Sequence, residues 1–217
     1  MKFILLTFIS LFFLSCSNTT ETDKDDKQET EWATQEPKPA AQVEVTNFKT
    51  KSGKEFTVIE KKRSGSLSRI TIQGTGFPNS QEIFTLRDVD PFEAGLKGDL
   101  DNDGFEEIYL ITRAVGSGSY AGIYGYASYN DLSYGPIYLA EPTENDPNFR
   151  GYMGHDRISI IDNRLVREFP VFNMGDTNNA PSGGYRIIKY TLEKGEASFA
   201  LKIESVTSRA RKSTPPS

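Results

Sequence analysis

Apolar and polar residues alternate along most of residues 43–206. A period of two sends one set of side chains to a buried face and the other to solvent, which is the pattern of strands. It predicts strands at 43–48, 56–59, 67–72, 83–89, 105–112, 120–129, 134–139, 157–161, 165–171, 185–192 and 197–206. Turn formers separate them: Ser64 and Gly65, Asn130 and Asp131, Asp162 and Asn163, and Gly195. The stretch 105–112 is apolar at both parities, so it reads as a central strand. No stretch of the domain carries a helical stripe, and 91–96 is expected to make at most one helical turn. The fold class is all-β: an antiparallel β-sandwich of roughly ten short strands, whose function is carried on loops held by a rigid sheet.

The ends read differently. Met1 and Lys2 precede an apolar run, 3–14, interrupted by Thr7 and Ser10. It is too short to span a bilayer as a helix, which takes about 20 residues, and fits a signal peptide over 1–15. Cys16 follows it and is the only cysteine, so no internal disulfide can form. Phe13, Leu14, Ser15 and Cys16 resemble the lipobox of bacterial lipoproteins. That resemblance implies cleavage before Cys16, lipidation of its sulfur and a place in the cell envelope, anchored to the outer membrane. The polar, acidic stretch 16–42 is expected to be a disordered tether. One domain, 43–207, follows, and then a basic, Pro-ended tail at 208–217 expected to fray.

Charge narrows the partners. The formal net charge is −5 and there is no basic stripe, which argues against nucleic acid. A Ser-His-Asp triad would have to use His155, the single histidine, and Asp156 beside it in sequence is badly placed to orient it. Glu106 and Glu107 diverge as strand neighbours, so no spaced carboxylate pair marks a glycosidase. The chain does not read as an enzyme.

Two loops carry chemistry. Asp99, Asp101 and Asp103 at positions one, three and five, Gly104 at six and Glu107 at nine offer hard oxygen ligands from a tight turn, as calcium requires. Position twelve is Leu110, so this is no EF-hand, and a single copy cannot build a propeller. A structural calcium and a solvated Asp-Gly turn both remain open; no cofactor is required. The second loop is Gly116, Ser117, Gly118, Ser119 and Tyr120, where two glycines relieve the backbone and three hydroxyls are offered without charge. A bulged turn is the plainer reading. Six of the ten tyrosines lie between Tyr120 and Tyr138, and Tyr124, Tyr126 and Tyr138 are expected to fill or cover the sandwich.

Ser117, Gly118, Ser119 and Tyr120 resemble the Ser-x-x-Tyr loop of bacterial periplasmic inhibitors of invertebrate-type (I-type) lysozyme, the PliI family. The runs 151–158, 165–171 and 175–184 resemble members of the same family. The resemblance begins near Gly98; before it, the chain is similar only in being strand-like. It implies a non-enzymatic β-sandwich, often a homodimer, whose Ser117 and Tyr120 hydroxyls enter a lysozyme cleft and bond to its catalytic carboxylates. His155, Asp176 and Asn178 would belong to a second contact loop. The other reading of the residues is a calcium-stabilised carbohydrate- or protein-binding module on the cell surface.

Overall fold

The computed structural model describes residues 42–143, 145–196 and 198–211. The expected signal peptide, Cys16 and nearly all of the expected tether lie outside the described residues.

The described chain is all β, as its alternation implies. The strands are β1 (Val43–Lys49), β2 (Glu55–Lys62), β3 (Ser68–Thr75), β4 (Ile83–Val89), β5 (Phe92–Gly98) and β6 (Glu107–Arg113), then β7 (Ala121–Tyr129), β8 (Ser133–Tyr138), β9 (Arg157–Ile161), β10 (Arg164–Pro170), β11 (Tyr185–Lys194) and β12 (Phe199–Arg209). One 3-10 turn, Pro147–Phe149, is capped by the Asp146 carboxylate, which accepts from the Asn148 N–H.

Two sheets form. β1 to β4 make a four-stranded antiparallel meander. The other eight strands run in the order β5-β6-β7-β8-β12-β11-β10-β9. This larger sheet curls until β5 touches β9, so it is nearly a barrel. Its pairing is antiparallel except where Phe199 and Ala200 of β12 meet Ile137 and Tyr138 of β8 in parallel. That one contact departs from the antiparallel expectation. It lets a late strand join the side of β8 that β7 leaves open.

β6 explains the layering. Tyr109 and Ile111 point into the curled sheet with Leu165, Phe169, Ile188 and Phe199. Ile108 and Leu110 point the other way, against Phe56, Val58, Ile70 and Ile72 of the small sheet. A strand covered on both faces has apolar residues at both parities, as Ile108, Tyr109, Leu110 and Ile111 do. Each large side chain fully removed from water here contributes about 1.5–3 kcal/mol before entropy is counted.

Three expectations need correction. Residues 91–96 are not a helical turn but most of β5. Two glycines obscure its strand pattern, and Gly95 is required: a Cβ there would lie 2.0 Å from the Phe48 ring. The domain does not end at Thr207, because Ser208 and Arg209 pair with Arg186 and Tyr185. Tyr138 covers nothing: it is 61% exposed, whereas Tyr126 is buried and Tyr124 packs at the edge of the core between the sheets. Pro136 and Tyr138 share the face of buried Tyr134 yet are exposed, so cover by the small sheet stops at Tyr134.

Candidate functional site

The β6–β7 connection, 114–120, is short and closely braced. The Ala114 N–H donates to the Tyr120 carbonyl at 2.9 Å, and the Ser119 N–H to Gly116 at 3.0 Å. Ser119 takes a positive φ of 46° to close the turn. Arg113, at the end of β6, donates from Nη1 to the carbonyls of Ser119 and Asp156 at 3.0 and 2.9 Å. Its other nitrogens bind Glu93.

Two more segments hold the loop from outside. The His155 N–H donates to the Gly118 carbonyl at 2.7 Å. Gly154 makes this approach possible, since a Cβ there would sit 2.0 Å from that carbonyl oxygen. Asn178 Nδ2 donates to the Ser117 carbonyl at 2.6 Å, and its Oδ1 lies 3.3 Å from His155 Nε2. Asp176 shapes the 173–182 loop by accepting from the N–H groups of Asn173 and Ser182. Those backbone bonds, Asn173 first, hold its carboxyl below the usual aspartate range. Ser117, Gly118, His155 and Asn178 therefore meet at one place, while Asp176 acts on its own loop.

Underneath lies a network that sequence reasoning missed. Arg167 Nε donates to Asp156 Oδ1 at 2.6 Å, with side-chain exposures of 3% and 0%. Asp156 Oδ2 accepts from the Ala121 N–H and the Tyr152 hydroxyl, and Arg167 Nη2 donates to the Ala121 carbonyl. Burial opposes the Arg167 charge most, but Asp156 together with the Tyr152 and Tyr190 hydroxyls holds the guanidinium above its usual range. The available signal was parity: Arg167 sits between Leu165 and Phe169 on the inward face of a strand, and a buried cation needs an acid.

What the loop shows to solvent is uncharged. Ser117 is exposed, and Tyr120 is 43% exposed. Among the described residues the side-chain hydroxyls of Ser117, Ser119 and Tyr120 have no partner, so they are free to bond elsewhere. The Tyr120 ring folds back over Gly118, where a Cβ would stand 2.4 Å from it, and packs edge-on against Tyr152. The loop is thus a short braced ridge, not a long free finger. Beside it is a cleft of about 440 Å³ lined by Tyr120, Tyr124, Phe149, Tyr152, Asp90, Glu141 and Arg167. Gly122 lines it as well, and the Tyr124 ring folds toward that glycine, where a Cβ would stand 3.2 Å from it.

At the opposite end of β6 lies the acidic turn. Carboxylate oxygens of Asp99, Asp101, Asp103 and Glu107 lie within 4.8 Å of one another. Asp99 accepts from the N–H groups of Asp103 and Gly104, and Asp103 from Phe105. Asn102 and Gly104 adopt positive φ, which gathers the side chains inward. Glu107 is 2% exposed and accepts from the Leu100 N–H. Burial first, and then the charges of the three aspartates, push its carboxyl up to about 8 against that bond.

These features define an all-β domain with a braced hydroxyl-bearing ridge and a separate acidic turn. No protein-family model matches the chain, and no curated protein or solved structure gives a significant match.

Proposed function

We propose that this protein is an envelope lipoprotein, anchored through Cys16, that inhibits lysozyme by placing the Ser117–Tyr120 ridge in the enzyme's sugar-binding cleft, with I-type lysozyme as the favoured target. One observation carries the reading: Ser117 and Tyr120 present unpartnered hydroxyls on a loop braced from three sides. A cleft built for a glycan is lined with hydrogen-bonding groups, and hydroxyls can stand where sugar hydroxyls stand. Bonds to a catalytic carboxylate are worth about 1.5–3 kcal/mol each, against about 1 for neutral pairs. Bracing by His155, Asn178 and Arg113 means little entropy is lost on docking. The resemblance of the Ser-x-x-Tyr loop to PliI inhibitors points the same way.

The test is a cell-wall lysis assay against I-type, C-type and G-type lysozymes. The wild-type protein should inhibit the I-type enzyme. Ser117→Ala combined with Tyr120→Phe should weaken inhibition on the order of a hundredfold or more, with an unchanged melting temperature. Full inhibition by the double variant would remove the ridge from the mechanism.

The second reading, a carbohydrate-binding module, is favoured by the tyrosine-lined cleft with Asp90 and Glu141 on its walls. Aromatic faces and charged hydrogen-bonding groups together suit a sugar ring. It predicts glycan binding that Tyr124→Ala abolishes and that the ridge variant leaves intact.

A further inference from the structure

We propose that the β5–β6 turn binds one calcium ion, and that the ion fastens the seam where β5 meets β9. This stands apart from the lysozyme reading and uses none of its residues. Four carboxylates, from Asp99, Asp101, Asp103 and Glu107, offer oxygens within 4.8 Å of one another. Among the described residues, no lysine or arginine forms an ion pair with any of the four. A hard cation with six to eight oxygen ligands matches that donor set, and the carbonyl of Phe105, seventh in the loop, is in the position that such turns use. The absence of nitrogen and sulfur donors argues against zinc or copper. Magnesium keeps several waters and an ideal octahedron, which four converging carboxylates do not provide.

An independent observation lies deeper. The Tyr109 hydroxyl is wholly buried, makes no hydrogen bond of normal length, and lies toward the Glu107 carboxyl. Tyr109 stands two residues from Glu107 on the same inward face of β6, near enough to feel the charges of Glu107 and Asp101. Glu107 gives one oxygen to the Leu100 N–H, and its other oxygen accepts no bond among the described residues. A carboxylate fixed by a cation offers the lone pair that this orphan hydroxyl lacks, as outer groups do around metal ligands. An unpaired buried hydroxyl is rare enough to need such an account.

The seam explains what the ion would do. β5 and β9 touch, but no hydrogen-bonded ladder joins them. Ile160 packs on Gly98, with a Cβ at Gly98 lying 3.1 Å from it, and Asn163 Nδ2 donates to Asn102 Oδ1 at 2.6 Å. Asn102 sits inside the acidic turn, so an ion that orders the turn also orders the link to the β9–β10 hairpin.

The experiment uses the full chain stripped with EGTA and titrated with calcium chloride, followed by calorimetry and thermal melting. One saturable site per chain and a raised melting temperature are expected, with a clearly smaller shift from magnesium at equal concentration. Asp101→Asn should weaken calcium binding at least tenfold. Amide exchange should slow in β5 and β9 on calcium addition. No saturable binding to the wild-type chain up to several millimolar calcium overturns the site. An equal response to magnesium overturns the choice of ion, and protection confined to 99–107 overturns the role at the seam.

Discussion

The two hairpins that flank β6 handle charge in opposite ways. At the β6–β7 end the two arginines meet acids: Arg113 meets Glu93, and Arg167 meets Asp156 in the protein interior. At the β5–β6 end four acids converge, and among the described residues no basic side chain answers them. Both ends belong to one strand and one core. The first loop is held by the protein's own groups, which leaves its outward hydroxyls unpaired among the described residues. On the calcium proposal, the second is completed by an ion.

The largest effect should come from breaking the buried pair. Asp156→Ala leaves the Arg167 guanidinium buried without an acid and strips the Ala121 N–H and the Tyr152 hydroxyl of their acceptor. Removing one partner of such a pair costs about 3–5 kcal/mol. The expected outcome is a melting temperature lower by roughly 10 °C, together with lost inhibition because the 114–120 loop loses its base. If Asp156→Ala melts like the wild type, the first loop is not held as described, and the contrast between the two ends fails.

Next comes the contact that lets the loop lie down. Gly154 has φ of 83°, and a Cβ there would collide with the Gly118 carbonyl. Gly154→Ala therefore meets both backbone strain and backbone overlap. A loss on the order of 1–3 kcal/mol follows. The His155-to-Gly118 hydrogen bond should open, visible as faster exchange of the His155 amide. Slow exchange with an unchanged melting point would show that the loop has another support.

How legible was this in the sequence? Alternation revealed nearly all the strands because each buries one face, and it singled out β6 because that strand buries two. The turn at Asp162 and Asn163 was readable for a local reason: both residues adopt positive φ, which these side chains tolerate. β5 was hidden because Gly95 answers to the Phe48 ring, a neighbour distant in sequence. The parallel meeting of β8 and β12 was hidden for the same reason, since local pattern does not choose a distant partner. Of the site, the hydroxyl loop and the acidic turn were visible because each is contiguous. Arg167 and Asp156 were not, since their meaning lies in a pairing across the fold. In sequence Asp156 stands beside His155, but in the fold it serves Arg167.

A smaller effect, opposite in sign, is expected at the acidic end. Without divalent metal, Asp101→Asn removes one of several repelling charges while keeping an oxygen that can accept the Asp103 N–H. Desolvation and then the charge of Asp103 already push the Asp101 carboxyl up, which marks an ionised form under strain. The variant should be more stable than the wild type in EGTA by at most about 1 kcal/mol, the scale of exposed charge interactions. Destabilisation in EGTA would mean that the acids support one another and that the turn is complete as it stands.

The smallest effect is the pH dependence of the first region. Asp176 binds the N–H groups of Asn173 and Ser182, and these bonds lower its pKa relative to the unfolded chain. A carboxylate lowered in this way contributes fully above its unfolded value of about 3.9, and the contribution fades as pH falls through the lower folded value. As pH falls below about 4 the 173–182 loop should loosen first and release Asn178 from Ser117, seen as faster exchange or NMR line broadening at 176–182. Asp176→Asn should remove that dependence. The Ala121 amide, held by Asp156 from beneath, should stay protected over the same range, because the loop can open without disturbing the buried pair. Loss of both signals at one pH would mean that the bracing loop and the interior network yield as a single unit.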